Sequence, residues 1–239
     1  MKKQISTAAA VLFAMALTAN SFAAEQMYKD IPANADYGQA VQALTDLNII
    51  AGYEDDTFGP DKLITRAEAA KLMVSAINMN KGADELKGET VFKDMDAESE
   101  WANGYINVGF QKGYINGISK DEFAPKENVT YLQMVKMLVT AIGYGDYAYA
   151  IGGYPNGYLT VAEITGILDG TVNPDGAITR AQAAKLIYSA IKSPIVVTEG
   201  ADLSDEKRTV ISKVQDGNAD NFYKSILTEA FNSYYVEGY

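Results

Sequence analysis

Histidine and cysteine are both absent from this 239-residue chain. Without histidine there can be no His-based triad, no ordinary zinc site and no use of the commonest general base. Without cysteine no disulfide can staple the fold, so stability must come from packing. Positive charge is scarce too, with 20 Lys and Arg against 31 Asp and Glu. That balance argues against nucleic acid, whose phosphates need a basic face, and against adhesion to anionic lipid. Long apolar runs are lacking. The stretch Ala8 to Leu17 follows Lys2 and Lys3 and precedes Ser21-Phe22-Ala23, the pattern of an export leader cleaved after Ala23. It is shorter than the about 20 apolar residues of a membrane span, so residues 1–24 read as a signal peptide and no membrane insertion is expected. Losing the two leader lysines takes the formal charge from −11 to −13.

What the chain has is repetition. ITRAEAAKLMVSAI from Ile64, VTYLQMVKMLVTAI from Val129 and ITRAQAAKLIYSAI from Ile178 are nearly one helix written three times, each following a proline (Pro60, Pro125, Pro174) at the same interval. Self-similarity of this kind marks an array of one supersecondary module. The first two copies open on Tyr28-Lys29-Asp30 and Phe92-Lys93-Asp94, and turn at Gly52-Tyr53 and Gly117-Ile118. They close their loops at Phe58-Gly59-Pro60 and Phe123-Ala124-Pro125. The third copy has a shorter loop, and its first helix is expected within 154–165. Asp36 with Gln39 suggests a start signal for the first helix. Residues 81–90, rich in charge, glycine and threonine, read as a linker. Beyond Pro194 the pattern ends, with a short strand expected over 195–198 and a helix over 221–235.

Thr65-Arg66-Ala67-Glu68 has the form of a capping box, repeated by Thr130 with Gln133 and Thr179 with Gln182. The box accounts for the threonine and its acid or amide, but not for Arg66 and Arg180. A first-turn arginine opposes the helix dipole unless something negative lies near it. Two readings are balanced on spacing alone: an anion site made of guanidinium and free helix amides, and a salt bridge to a neighbouring repeat. Alanine at either position is then expected to weaken anion binding and leave melting nearly unchanged. Lys71, Lys136 and Lys185 share one register and read as solvated. Glu54-Asp55-Asp56 lacks the ligand ladder of a calcium loop, and no metal or cofactor is expected.

Together these residues resemble the S-layer homology repeat, over roughly residues 28 to 192. The resemblance implies a mostly α fold in which three repeats pack around a pseudo-threefold axis and leave grooves between them. It also implies a non-enzymatic module that holds secondary cell-wall polysaccharide, often pyruvylated, at the surface of an exporting bacterium. Contacts with other S-layer or surface proteins are the alternative, and a paired-carboxylate hydrolase is the third reading. By the same resemblance Arg66 and Arg180 contact the anionic sugar and the main chain at Gly52 and Gly117 lines the groove. The opening of each next repeat, Asp94 and Trp101, is expected to face the groove before it. Tyr131 stands where the other copies have arginine, so the groove built on the second repeat is expected to be vestigial, leaving at most two strong sites.

The repeats are placed at 25–80, 91–144 and 145–192, with 193–239 as a C-terminal extension. Leu72, Ile77, Leu138, Ile142, Leu186 and Ile191 are expected to share one core.

Overall fold

The computed structural model describes residues 28–168 and 173–193 and the backbone of 195–198 and 211–215. The leader over 1–24 and the helix expected over 221–235 lie outside them. The architecture is mostly helical. Each repeat contributes a long helix that begins at its capping box: α2 (Arg66–Ala76), α5 (Tyr131–Ala141) and α8 (Arg180–Lys192). The boxes form as expected. Thr65 Oγ1 accepts from the Glu68 N–H at 3.2 Å and Glu68 returns the favour to the Thr65 N–H at 2.7 Å. Thr130 with Gln133 and Thr179 with Gln182 do the same. Each such cap is worth about 1 kcal/mol.

Just before these helices, three extended segments meet. The Ile64 N–H donates to Ile178 O at 3.2 Å, the Ile178 N–H to Val129 O at 3.1 Å, and the Val129 N–H to Ile64 O at 3.0 Å. The ring closes on itself, one residue from each repeat, and Ile64, Val129 and Ile178 are all buried. One step outward the pattern continues. Arg66, Tyr131 and Arg180 donate their N–H groups to Glu127, Gly176 and Lys62 carbonyls. Ala67, Leu132 and Ala181 donate theirs to Pro125, Pro174 and Pro60. The first-turn amides that a helix cannot satisfy internally are thus taken by the neighbouring repeat's proline loop. The constant interval from proline to helix has this cause.

Further along, the three helices converge in matching layers. Met73, Leu138 and Ile187, then Ala76, Ala141 and Ala190, then Ile77, Ile142 and Ile191 surround one interstice of about 10 Å³. Five of the six expected core residues belong to the main hydrophobic cluster. Ile77 faces the same interstice but packs chiefly in a smaller cluster with Val74, Met79, Ala83 and Val108.

The shorter helices correct several expectations. The stretch 81–90 is not simply a linker: α3 (Asn80–Glu85) occupies its first half, and α6 (Gly145–Ala150) is its counterpart in the next repeat. A Cβ at Gly104 would collide with the Ala83 carbonyl, and one at Gly157 with the Ala148 carbonyl. Here glycine permits close helix approach. The first helices are α1 (Gly38–Asp46), α4 (Asn103–Gln111) and α7 (Asn156–Ile164), with a 3₁₀ turn (Glu100–Ala102) leading into α4. No side chain caps α1, because Asp36 is turned instead to Lys185, 2.7 Å away. After α8, strand β1 (Ile195–Thr198) pairs antiparallel with β2 (Ile211–Gln215), and the strand expected over 195–198 is present.

The opening aspartates hold the loops. Asp30 accepts from the Phe58 and Gly59 N–H groups, each at 2.7 Å. Asp94 accepts from Phe123 and Ala124 at 2.8 and 2.6 Å. Burial pushes the Asp30 carboxyl up, but the amides of Phe58 and Gly59 outweigh it and hold the group below the ordinary 3.8. A depressed folded-state value means stability that is present above about pH 4 and lost as pH falls through the folded pKa. Asp30→Ala or Asp94→Ala should each lower stability by about 1–3 kcal/mol by stranding two amides. In acid titration followed by circular dichroism, Asp30→Asn should flatten the loss of wild-type stability below about pH 4. An unchanged acid profile would remove the loop-holding role from Asp30.

Candidate functional site: the grooves between repeats

Each first-turn arginine reaches out of its own repeat. Arg66 donates Nε–H to Phe123 O at 2.7 Å and Nη2–H to Asn116 O at 2.9 Å, both on the loop of the second repeat. Arg180 makes the matching bonds to the first repeat, Nε–H to Phe58 O and Nη2–H to Ala51 O, both at 2.9 Å. The guanidinium planes lie over aromatic rings, Arg66 over Phe123 at 4.7 Å and Arg180 over Phe58 at 4.8 Å. Both arginines are only 8% exposed. The neighbour's loop carbonyls satisfy them, not the salt bridge considered from sequence. The free helix amides of the anion reading are also absent, since the adjacent repeat has taken them. What each arginine keeps is its Nη1, which has no hydrogen-bond acceptor among the described residues.

In front of Arg66 is a cavity of about 190 Å³. The second repeat's loop (Asn116, Gly117, Ile118) forms one wall, α5 (Gln133, Lys136, Met137) another, and Tyr154 the rim. Arg66 and Gly117 are therefore brought together, and Arg180 with the Ala51–Gly52 turn in the same way. Both glycines are required by packing. A Cβ at Gly52 would strike the Tyr28 ring, and one at Gly117 the Phe92 ring, so the opening aromatic of each repeat seats against its own turn.

Asp94 and Trp101 are not part of the Arg66 cavity. Asp94 spends both carboxylate oxygens on loop amides and lines a separate shallow depression with Lys126 and Glu127. Trp101 is 47% exposed and meets Tyr105 edge-on at 6.5 Å. Its 3₁₀ turn packs against α2, as α7, just behind Tyr154, packs against α5. Tyr154 likewise meets Tyr158 at 6.3 Å, so Trp101 and Tyr154 hold one position in successive repeats.

Two cavity residues were missed in sequence. Lys136, read as solvated, has its Nζ 5.5 Å from the Tyr154 ring. Tyr154 itself could have been found from the shared Asn-Gly-Tyr at 103–105 and 156–158, which aligns it with Trp101.

The third groove differs. Tyr131 takes the arginine's place and is 1% exposed. Lys185, the counterpart of Lys136, is bound to Asp36 at 2.7 Å, and the Lys185 ammonium holds that carboxyl below its usual range. One cation of this groove is missing and the other is neutralised.

The loss of two carbonyl partners gives the arginines a structural share that spacing did not reveal. Arg66→Ala or Arg180→Ala should therefore lower stability by about 1–3 kcal/mol, contrary to the expectation of unchanged melting. Denaturant unfolding of each variant measures this directly, and wild-type stability in both would remove the share.

Comparison with known proteins accords with this architecture. The S-layer homology domain matches residues 28–70, 91–135 and 164–184. The chain is 30% identical over 219 residues to the middle cell wall protein of Brevibacillus brevis, covering 89% of this chain and 20% of that protein. It is 32% identical over 217 residues to the cell surface protein of Thermoanaerobacter kivui, covering 88% and 26%. With the cellulosome-anchoring protein of Acetivibrio thermocellus it shares 32% identity over 151 residues, covering 60% and 33%. The chain thus spans only a third or less of the length of these relatives. Among the described residues no helix is long and apolar enough to cross a membrane. With its three matched segments, its capping boxes and its closed ring of repeats, the chain belongs to the S-layer homology domain family.

Proposed function

We propose that this secreted cell-surface protein anchors itself non-covalently to the bacterial wall by binding anionic wall polysaccharide. The grooves headed by Arg66 and Arg180 do the binding. The observation that carries this reading is the pair of buried guanidinium groups, each clamped on the next repeat's loop and each left with an Nη1 to donate. A clamped, stacked guanidinium has already lost its side-chain freedom, so a carboxylate arriving at Nη1 gains a charge-assisted bond at little entropic cost. The cavity at Arg66 adds an apolar floor and the Tyr154 ring, suited to a sugar face. The pyruvyl ketals of such polymers supply the carboxylate in this reading. A pseudo-threefold arrangement of the repeats is supported by the ring of Ile64, Val129 and Ile178. Among the described residues its third groove offers no free cation of the same kind, as Tyr131 and the Lys185–Asp36 pair leave it. The chain acts as a binding module, and no residue is assigned a catalytic role.

Purified cell walls, before and after removal of their polysaccharide, provide the test. Wild type should sediment with intact walls and stay in solution with stripped ones. Arg66→Lys or Arg180→Lys keeps the charge but loses the fork. Each should weaken its groove roughly ten- to a hundredfold, the equivalent of about 1.5–3 kcal/mol. Titration calorimetry with a short pyruvylated fragment should count two strong sites. Tyr131→Arg should add a weaker third. Equal binding to stripped walls, or three equivalent sites in the wild type, would sink the assignment.

A further inference from the structure

The two arginine grooves are not alike, and the difference lies in three residues that change together. In the Arg180 groove, Tyr53 carries a cation at two points: Arg180 lies 5.1 Å from its ring centroid and Lys62 Nζ lies 3.7 Å from it. Lys62 is exposed and makes no ion pair or hydrogen bond through Nζ among the described residues, so its charge is available to solvent. Its stem reaches Tyr53 by crossing Gly59. A Cβ there would stand 2.9 Å from Lys62 Cδ and 3.0 Å from Tyr53 Cε2. The corresponding residues of the Arg66 groove are Ile118, Ala124 and Glu127. The correspondence is fixed by backbone bonds, since the Arg180 N–H donates to Lys62 O and the Arg66 N–H to Glu127 O. At the position where the Arg180 groove presents Lys62, the Arg66 groove, whose own lysine is Lys136 beside Tyr154, has Glu127, which with Asp94 acts electrostatically on Arg66 from the adjoining depression.

We propose that Lys62, folded over Tyr53, makes the Arg180 groove a two-cation site that favours saccharide segments bearing two acidic groups, while Glu127 at the equivalent position weakens that preference in the Arg66 groove. The inference rests on the groove reading above and deepens it. An anion near two cations is attracted by both, and the attraction falls with added salt. Glu127 opposes a second negative charge at the equivalent place in the other groove. Gly59 is the enabling residue. Its backbone, at φ +70°, is the one Ala124 adopts at +59°. Alanine is therefore accessible to the main chain there at some strain, and its methyl would press on both Lys62 and the Tyr53 ring it covers.

The test uses the purified chain and wall polysaccharide in two forms, native and with its carboxyl groups chemically reduced to alcohols. Calorimetric titrations are run at low and high salt. Lys62→Glu should lower the affinity of one site for native polymer roughly three- to tenfold and flatten its salt dependence. Binding of the reduced polymer should be unchanged. Gly59→Ala should give the same change in weaker form, with melting slightly lowered by the strain of alanine at positive φ. Glu127→Lys should raise the affinity of the other site for native polymer. If Lys62→Glu and Glu127→Lys both leave affinity and salt dependence as in wild type while Arg180→Lys still weakens binding, the two-cation proposal is wrong and the groove reading stands. If Arg180→Lys and Arg66→Lys are also without effect, the groove reading itself fails. Should Lys62→Glu weaken native and reduced polymer equally, Lys62 acts by shape and not by charge, which also overturns the proposal.

Discussion

The closed ring of main-chain hydrogen bonds among Ile64, Val129 and Ile178 is the constraint on which the rest depends. A helix begins with amides it cannot satisfy, and a buried amide left unpaired is costly. Here one neighbour meets that demand through two carbonyls of its proline loop, while the other supplies the ring carbonyl to the residue just before the helix. No repeat can be complete alone. The layers of Met73, Ala76 and Ile77 with their counterparts then meet because their helices start from one common ring. The repeats share one ring and one core and are not three separate beads, although the sequence is a linear array.

That same exchange decides what the grooves can do. Helix N-termini are ordinarily good anion sites, but these have given their amides to the next repeat. The binding capacity therefore passes to the side chain at the first helical position. Arginine serves there because its five donors allow it to bracket two carbonyls and still face outward. Structural and ligand-facing roles are shared by one residue, so damage to binding and damage to the fold are coupled at Arg66 and Arg180. Around this common plan the repeats have diverged in charge. Lys62, Glu127 and Gly176 occupy one position in three grooves, as do Arg180, Arg66 and Tyr131. A module built by repetition thus carries three chemically distinct surfaces.

Much of this was legible in the chain itself. Threonine three residues before glutamate or glutamine marks a helix start wherever it folds, because the box is a local exchange between near neighbours. The spacing of Ala69, Leu72, Met73, Ala76 and Ile77 along one helix shows a core-facing stripe for the same reason. The absence of histidine and cysteine and the excess of acid excluded whole classes of chemistry before any geometry was known. The two first-turn arginines also stood out, since their mismatch with the helix dipole required a partner, and Tyr131 stood out as the departure from them.

Who that partner is could not be read, because it lies 50 to 129 residues away along the chain and is a set of backbone carbonyls, which every residue possesses. The fate of the first-turn amides was hidden for the same reason. The need for glycine at 104 and 157 was hidden likewise, since it comes from helix carbonyls that only packing brings close. Asp36 looked like a cap until Lys185 came within 2.7 Å of it. Sequence by itself determined the repeats, their helix starts and the residues with charge to spend. Only the tertiary structure decided which carbonyls, rings and carboxylates those charges meet, since that depends on how three repeats close upon one another.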